Sequence, residues 1–362
     1  MITSDQRWHS LTILIAHRTA SEKRFFQVTE EQRSTLKATT DCFAPLIEPS
    51  FRMPSRHALT RYITSFFDGF HSHMPFIHVP TWHMLDHPVE LIFGIAAVGA
   101  QYCFESKVSQ QLYFAGKALL MNSLRAQAEK LGPATRSCLA LTQSQITASA
   151  SGGHAENESL IETVQALIVL MAFATWEPKV SLVQESFILQ GILAHVARDV
   201  GLAEKGDLPV HPLSTHNEND IPVLHRKWRQ WADEESSRRT KLIAFTFLHT
   251  HSIAYNFYPV LRSNEVNLRL PCSTKEWNAP NEATWHALTC ETKRPQLLFQ
   301  EALSLLLRNR DDAPHLEPIP TPLGNYVLLH GLLQRIHILR DLSVPITSKT
   351  AALPVGEVKK LE

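Results

Sequence analysis

The sequence predicts an all-α protein, an irregular multi-helix domain of packed, mostly antiparallel helices. Apolar residues recur at steps of three and four in one segment after another, and no two segments show the alternating pattern of paired strands. The 362 residues include only 13 glycines, which argues against a turn-rich β protein or a glycine-rich cofactor fold. No repeat of fixed period is present, which argues against a regular solenoid.

Helical periodicity accounts for most of the N-terminal half. Residues 1–50 are weakly patterned, and the first clear amphipathic helix opens after Pro54 and ends near Gly69. After a proline-held loop, further helices are predicted at residues 89–104, 109–130, 160–176 and 182–200. The interval 131–157 is small, polar and rich in glycine and serine, which buries too little apolar surface to build a core. We therefore expect a mobile surface insertion there.

The longest predicted helix begins near His225 and breaks before Pro259. Residues at steps of three or four along it share one face. They are Trp228, Trp231, Glu235, Arg238, Leu242, Phe245 and His249. The face is apolar at both ends and charged in the middle, and a buried charge is costly unless it is paired.

Helical spacing pairs these charges with one another. Glu235 can reach Arg238 and Arg239, and Glu234 can reach Arg238. We predict a structural ion-pair cluster that fixes the register of the helix, formed by Glu234, Glu235, Arg238 and Arg239. Trp228 and Trp231 are interpreted as aromatic anchors of the core; the alternative is that their rings stack on a ligand or a base.

Two last helices are predicted at residues 297–307 and 326–342. The chain then divides into a poorly patterned N-terminal segment (1–50), one helical domain (51–342) and an unstructured tail (343–362). A chain of this length can bury a large core in one or two domains.

Composition and charge argue against several classes of protein. Thirty-five basic residues balance thirty-five acidic residues, which gives no support for a wholesale nucleic-acid-binding surface. The five cysteines are scattered and none forms a C-x-x-C pair, which fits a reducing compartment and excludes a sequence-local zinc finger. No apolar run reaches the length of a membrane span, and residues 11–16 are too short for a signal peptide. We expect no membrane contact.

Four blocks in order resemble the fungal-specific transcription factor domain, or middle homology region. The blocks are PSRHALTRYITSFFDGFHSHMPFIHVPTW (54–82), ETVQALIVLMAFATW (162–176), GILAHVARDVG (191–201), and the long helix through Pro271-Cys272 and Glu276-Trp277. GNYVLLHGLLQRIHILR (324–340) is similar to later helices of the family. The resemblance covers roughly residues 50–342 and is closest to the subset that carries classical two-cysteine two-histidine zinc fingers.

The resemblance implies a nuclear regulator of RNA polymerase II-dependent gene expression. Such proteins bind promoter DNA through a zinc module, while the helical domain regulates activity or contacts other regulators or a homodimer partner. No six-cysteine cluster and no zinc-finger pattern occurs in the sequence, so zinc is implied only for a module missing from this chain, and no cofactor is expected here. Two hypotheses follow: a truncated gene product, or an interaction protein that works by pairing with a full-length family member.

The family pattern also has local exceptions in this sequence. His249 and Tyr258 stand where relatives usually have Asn or Asp and Pro, and Asn267 replaces a commonly acidic residue. The helix is interrupted around Tyr255, Asn256 and Tyr258, and such a break can line a small effector cavity. An effector cavity at these three residues is therefore a hypothesis.

A histidine cluster is the strongest metal candidate, comprising His71, His73, His78, His83 and His87. Imidazoles at H-x-H spacing can bind zinc, but structural zinc sites show closed Cys/His pairs at diagnostic spacing. The resemblance already explains two of these histidines as loop residues around Pro75 and Pro80. We predict no metal site.

The sequence carries no established catalytic motif, so we predict that the chain is not an enzyme. Glu234 and Glu235 form a possible acid–base pair, but adjacent arginines favour ionised, structural carboxylates. Nearby basic residues interleave with acidic ones that repel phosphate, so we interpret them as a solvated, ion-paired face. These basic residues are Arg226, Lys227, Arg229, Arg238, Arg239 and Lys241.

Overall fold

The computed structural model describes residues 26–141, 160–204, 221–291, 295–308 and 316–343. Within these ranges the fold is all-α, as the sequence predicts. The N-terminal helices are α1 (Glu30–Asp41), α2 (Arg56–Asp68), α3 (Phe70–His73), α4 (Val89–Tyr102), α5 (Ser106–Ala126), α6 (Pro133–Leu141) and α7 (Leu160–Trp176). The remaining helices are α8 (Val180–Val200), α9 (Ile221–Ala254), α10 (Thr274–Trp277), α11 (Glu282–Glu291), α12 (Phe299–Leu307) and α13 (Pro322–Ser343).

Helices α4 and α7 form the centre of the core. Every residue from Glu90 to Ala100 in α4 and from Thr163 to Ala174 in α7 is buried. A helix that is apolar on all sides must be covered on all sides, and α4 packs against α2, α5 and α7. Its sequence, VELIFGIAAVGAQY, makes this possible because small residues allow close approach.

One glycine sets the distance between α2 and α4. A Cβ atom added at Gly99 would lie 1.8 Å from the carbonyl oxygen of Tyr62. The two backbones therefore meet at a position where no side chain fits, and the substitution of any other residue would force the helices apart.

Helix α6 corrects one expectation. Residues 131–157 were expected to form a mobile insertion, but α6 occupies the beginning of that interval, and its Leu139 is buried. Pro133 opens the helix, and Asp199 of α8 accepts hydrogen bonds from the Gly132 amide and the Thr135 hydroxyl. The scattered apolar residues of α6 find a partner in α8, which local composition does not reveal. The part of the predicted insertion from 142 onward lies outside the described residues.

Helix α8 joins the core through one face and ends at Gly201, whose φ of 87° favours glycine. Among the described helices, α8 alone is long and apolar enough by length and composition to cross a membrane, and half of its most apolar window is buried inside the fold. This differs from the expectation that no apolar run reaches that length. A buried core helix of a globular domain meets the same two criteria.

The long helix α9 has 34 residues and spans about 51 Å at 1.5 Å per residue. It packs against α7, α8, α11 and α13, and thus connects the central core to the C-terminal helices. An extended segment from Val266 to Leu270 runs beside it, with Val266, Leu268 and Leu270 buried. Backbone bridges tie this segment to Ala203 on one side and to Leu298 on the other.

Candidate functional site

A fully buried carboxylate occupies the middle of α9. The Oε1 atom of Glu235 accepts hydrogen bonds from Arg239 Nε at 2.8 Å and from the Cys272 amide at 2.9 Å. Its Oε2 atom accepts from Arg238 Nη1. Each oxygen thus accepts from a charged donor. Oε1 also accepts from the backbone at Cys272, just after the extended segment.

A second carboxylate completes this arrangement. Glu204, just after α8, accepts from Arg238 Nε through Oε1 at 2.8 Å and from the Arg269 amide through Oε2 at 3.3 Å. Two carboxylates therefore balance two guanidinium groups in what we call the buried ion-pair network: Glu204, Glu235, Arg238 and Arg239. The network joins the end of α8, the middle of α9 and the extended segment.

Arg239 extends the network toward α10. Its Nη2 atom donates to the Cys272 carbonyl at 3.2 Å, and its guanidinium lies 4.0 Å from the centre of the Trp277 ring. A guanidinium over the face of tryptophan is the strongest common cation–π arrangement in proteins. Trp277, in the Glu276-Trp277 pair at the end of the fourth sequence block, thus contacts the network directly.

The network keeps its carboxylate ionised. Burial alone raises the pKa of Glu235, but Arg239 and Arg238, together with hydrogen bonds from Arg239 and the Cys272 amide, hold that pKa below its ordinary value. Burial and the adjacent Glu235 charge raise the pKa of the Cys272 thiol well above its ordinary value. A permanently ionised carboxylate and a permanently protonated thiol are poor choices for acid–base or nucleophilic chemistry near neutral pH.

Glu234 departs from the predicted ion-pair cluster. Its side chain lies on the exposed face of α9, where Oε1 accepts from Gln230 Nε2 at 3.0 Å. Helical spacing allowed an ion pair with Arg238, but the guanidinium of Arg238 turns inward to Glu235 and Glu204. A buried guanidinium is stabilised most by carboxylates that are buried with it. Arg238 therefore pairs with Glu235 and Glu204, and Glu234 remains in solvent.

Trp228 and Trp231 pack in a small second core cluster next to α9. Trp228 is buried with Trp285 of α11, and the rings of Trp231 and Trp285 are 5.4 Å apart. The His78 ring lies 5.7 Å from Trp228 and 4.8 Å from Trp277, with edge-to-face geometry. Burial is the main cause that lowers the pKa of His78 to about 4, so this imidazole is neutral in its aromatic surroundings.

The five histidines of the sequence-predicted metal candidate do not converge. His71 Nε2 accepts from the Ile77 amide at 3.0 Å, His78 Nδ1 bonds to the Thr81 hydroxyl at 2.8 Å, and His87 Nδ1 lies 2.8 Å from Glu162. His73 and His83 are exposed. Within the described part of the chain, no three histidine, cysteine, aspartate or glutamate side chains group as metal ligands.

The helix break at the end of α9 is a cap. Asn256 has a φ of 51°, and the Phe257 amide donates to the Ser252 carbonyl, so this residue ends the helix in the left-handed conformation that asparagine tolerates. Tyr255 and Tyr258 are exposed. None of the three lines the cleft described next, and an effector cavity at these residues stays a hypothesis.

The cleft lies instead beside the buried ion-pair network. It has a volume of about 810 Å³ and lies between α3 with the loop that follows it, the α10 region and the start of α13. Arg239 and Trp277 reach it from the network, and Tyr326 reaches it from α13. Segments distant in sequence form this cleft, so no local pattern in the sequence predicted it.

The basic residues near the start of α9 have separate environments. Arg238 and Arg239 belong to the buried ion-pair network, and Lys241 Nζ approaches the Val200 carbonyl at 3.4 Å. Arg229 is exposed, with Asp86 at 3.5 Å. These contacts divide the charges among interior and surface, so they do not form one continuous basic face.

Comparison with known families decides the class of this arrangement. A family model described as the fungal specific transcription factor domain matches residues 63–346, from within α2 past the end of α13. The chain belongs to the fungal specific transcription factor domain family. The resemblance found in the four sequence blocks is thereby confirmed, and the family is one of transcription factors rather than of enzymes.

One similar protein is the zinc finger protein klf1 of Schizosaccharomyces pombe. It is 25% identical to this chain over 290 residues, which are 79% of this chain and 32% of the relative. The chain therefore spans about a third of the length of that relative. No solved structure matches the chain.

Several residues of the site were missed from sequence. Glu204, Trp285 and His330 lie outside the charged face that the helical periodicity marks, and each reaches α9 only through tertiary folding. Arg198 and Glu265 lie in two of the matching blocks, and they form a two-pronged ion pair at 2.6 and 3.0 Å. Both blocks hold other charged residues as well, so the sequence alone did not single out this pair.

Proposed function

We propose that this chain is the helical regulatory domain of a nuclear transcription regulator that controls RNA polymerase II-dependent genes. The observation that carries the proposal is the family match over residues 63–346, which spans the core and the buried ion-pair network together. The network supports a structural use of the charged residues, since its carboxylates and guanidinium groups satisfy one another in the interior. On this proposal the chain catalyses no reaction.

We place promoter recognition in a zinc-dependent module separate from this helical domain. The S. pombe relative is named as a zinc finger protein, and this chain aligns with only 32% of it. The 362 residues contain no zinc-finger cysteine and histidine pattern of their own. Zinc and promoter DNA are therefore assigned to that module, and the helical domain contributes regulation.

A tethering experiment tests the proposal. The chain is fused to an unrelated DNA-binding domain in yeast, and transcription of a reporter that carries its binding sites is measured against the DNA-binding domain alone. We expect the fusion to change reporter transcription several-fold, in either direction. A fluorescent fusion should accumulate in the nucleus. Unchanged transcription at equal protein level would contradict the proposal.

A second candidate function is that of an interaction protein that pairs with a full-length family member. The observation that favours it is an apolar face on α13 that is turned to solvent, formed by Leu329, Leu333, Ile336 and Leu339. Leu329 is 50% exposed and Ile336 is 61% exposed. The first three residues are spaced as in a coiled-coil seam, so the matching partner is a like helix of a second family domain.

Sedimentation of the purified chain separates the two candidates. Self-association that Leu333→Glu abolishes, while the folded helical signal remains, supports pairing through α13. Exposed Ile319 lies outside this face and supplies the control Ile319→Glu, which should leave association unchanged. A chain that stays monomeric at high concentration counts against the pairing function and leaves the first proposal standing.

A further inference from the structure

The cleft beside the buried ion-pair network has walls from three parts of the chain. The loop after α3 contributes Met74 and Pro75, α10 contributes Trp277, and α13 contributes Leu323 and Tyr326. Its volume of about 810 Å³ falls within the range of small-molecule sites, which are concave, mostly apolar and supplied with a few polar groups. Prolines, aliphatic side chains and aromatic rings form just over half of the lining, and polar groups supply the rest, among them His71, His73 and Asn278.

Arg239 reaches this cleft with one hydrogen-bond donor group that is not used within the network. Arg239 uses Nε for Glu235 and Nη2 for the Cys272 carbonyl. The hydrogen bonds of Arg239 within the described residues run through Nε and Nη2 and leave Nη1 unused, and Arg239 is one of the residues that line the cleft. Only 4% of the Arg239 side chain is exposed, so the guanidinium is fixed in position before any ligand arrives. A fixed donor in an apolar wall is a recognition element for an acceptor atom.

The charge balance specifies which acceptor fits. Arg238 and Arg239 are matched by Glu204 and Glu235, so the buried ion-pair network carries no excess positive charge. An anion that enters the cleft loses its hydration without gaining an unpaired cation. A neutral oxygen acceptor loses less hydration and still accepts from a charged donor.

We propose that this cleft binds a small, flat, mostly apolar molecule that carries a neutral carbonyl oxygen, which accepts a hydrogen bond from Arg239 Nη1. The apolar body lies between Trp277, Leu323 and the proline-rich loop. A molecule in this position touches α9, α10 and the beginning of α13 at once, and so favours the state in which they are packed together. The inference concerns binding by the purified chain and goes beyond the proposed role in transcription.

Two matched probes test the hydrogen bond. Equilibrium dialysis measures the affinity of the purified chain for 2-acetylnaphthalene and for 2-ethylnaphthalene, which have similar shapes and differ in the carbonyl oxygen. We expect the ketone to bind about tenfold more tightly, since a hydrogen bond from a charged donor is lost with the hydrocarbon. The anion 2-naphthoate should bind no more tightly than the ketone.

Two tryptophan substitutions on α13 test whether the ketone binds in this cleft. Leu323→Trp fills the cleft and should weaken binding of 2-acetylnaphthalene at least about tenfold. Leu329 is exposed on the same helix and does not line the cleft, so Leu329→Trp should leave the affinity unchanged. Circular dichroism and thermal unfolding verify that both variants are folded, and a Leu323→Trp variant that does not fold is replaced by Asn278→Trp at the α10 wall.

Three results would overturn the inference. The first is equal affinity for the ketone and the hydrocarbon, or binding of neither. The second is tighter binding of 2-naphthoate than of the ketone, which would make the site an anion site. The third is undiminished ketone binding in a folded variant whose cleft is filled.

Discussion

Glu235 and Arg239 lie one turn apart on α9 and form a buried ion pair with an Oε1–Nε distance of 2.8 Å. The same carboxylate oxygen accepts from the Cys272 amide at 2.9 Å, and the same guanidinium lies against Trp277. One helical i,i+4 pair therefore holds the backbone at Cys272 and α10 onto α9. The pair thus connects parts of the chain that are distant in sequence.

Replacing Glu235 by alanine should destabilise the fold by about 3–5 kcal/mol, because it leaves the buried guanidinium of Arg239 without a carboxylate and leaves Arg238 with Glu204 alone. Glu234→Ala is the matched control, since the adjacent carboxylate is exposed, and it should change the free energy of unfolding by no more than about 0.5 kcal/mol. Urea unfolding of both variants gives the two values. Equal stability of both would mean that the α9 charges face solvent.

Gly99→Ala should destabilise the protein by about 3 kcal/mol, because the new methyl group overlaps the Tyr62 carbonyl and forces α2 from α4. Gly191 provides the control in α8, where the nearest atom to an added Cβ is 4.0 Å away. Gly191→Ala should stabilise by up to about 1 kcal/mol through its better helix propensity. Thermal unfolding should therefore show shifts of opposite sign, and a shared sign would refute the close helix contact.

Acid should weaken the fold already between pH 6.5 and pH 4. Burial is the main cause that lowers the pKa of His249 and of His330 to about 4, and their Nδ1 atoms are 2.8 Å apart between α9 and α13. His337 also lowers the pKa of His249, and Tyr326 packs against His330. An unfolded histidine titrates near 6.5, so the unfolded chain binds more protons in this window and the unfolding free energy falls as pH decreases.

The variant His330→Gln tests this assignment by removing one titrating group. The slope of the unfolding free energy against pH should become shallower between pH 6.5 and 4, whatever the change in absolute stability. His57→Gln, at an exposed position of α2, should keep the original slope. The depressed pKa of Glu235 acts at lower pH, since its contribution is present above about 4.5 and is lost as pH falls through the folded value.

The purified chain should bind DNA weakly, with a shallow dependence on salt. Arg238 and Arg239 are committed to the interior, and Arg229 lies beside Asp86. Arg226 and Lys227 are exposed near the start of α9, but exposed Asp233 and Glu234 one to two turns on repel phosphate. Fluorescence anisotropy with a non-specific duplex across salt concentrations measures this. Tight binding with a steep slope would show that the basic residues act as a DNA surface.

The sequence predicted those features that depend on local spacing. The apolar face of α9 and the pairs from Glu235 to Arg238 and Arg239 follow from a helical period. Helix α7 was predicted with its observed bounds, because its uninterrupted apolar run requires a buried helix. Such features need no knowledge of neighbouring elements.

Features that depend on tertiary partners could not be predicted in this way. Nothing near Glu204 in sequence shows that it meets Arg238, and the same spacing rule that found Glu235 wrongly included Glu234. The composition of α6 is that of a polar insertion, and its packing depends on contacts with α8, among them the hydrogen bond from the Gly132 amide to Asp199. The cleft forms where three segments meet, so no single stretch of sequence marks it.

The central claim is that the folded helical domain itself regulates transcription. The tethered reporter tests it directly when the fusion carries Glu235→Ala or Glu234→Ala and the protein levels are matched. The account predicts that Glu235→Ala weakens the change in reporter transcription in proportion to its unfolded fraction, while Glu234→Ala retains it. Full regulation by an unfolded Glu235→Ala fusion would contradict the account.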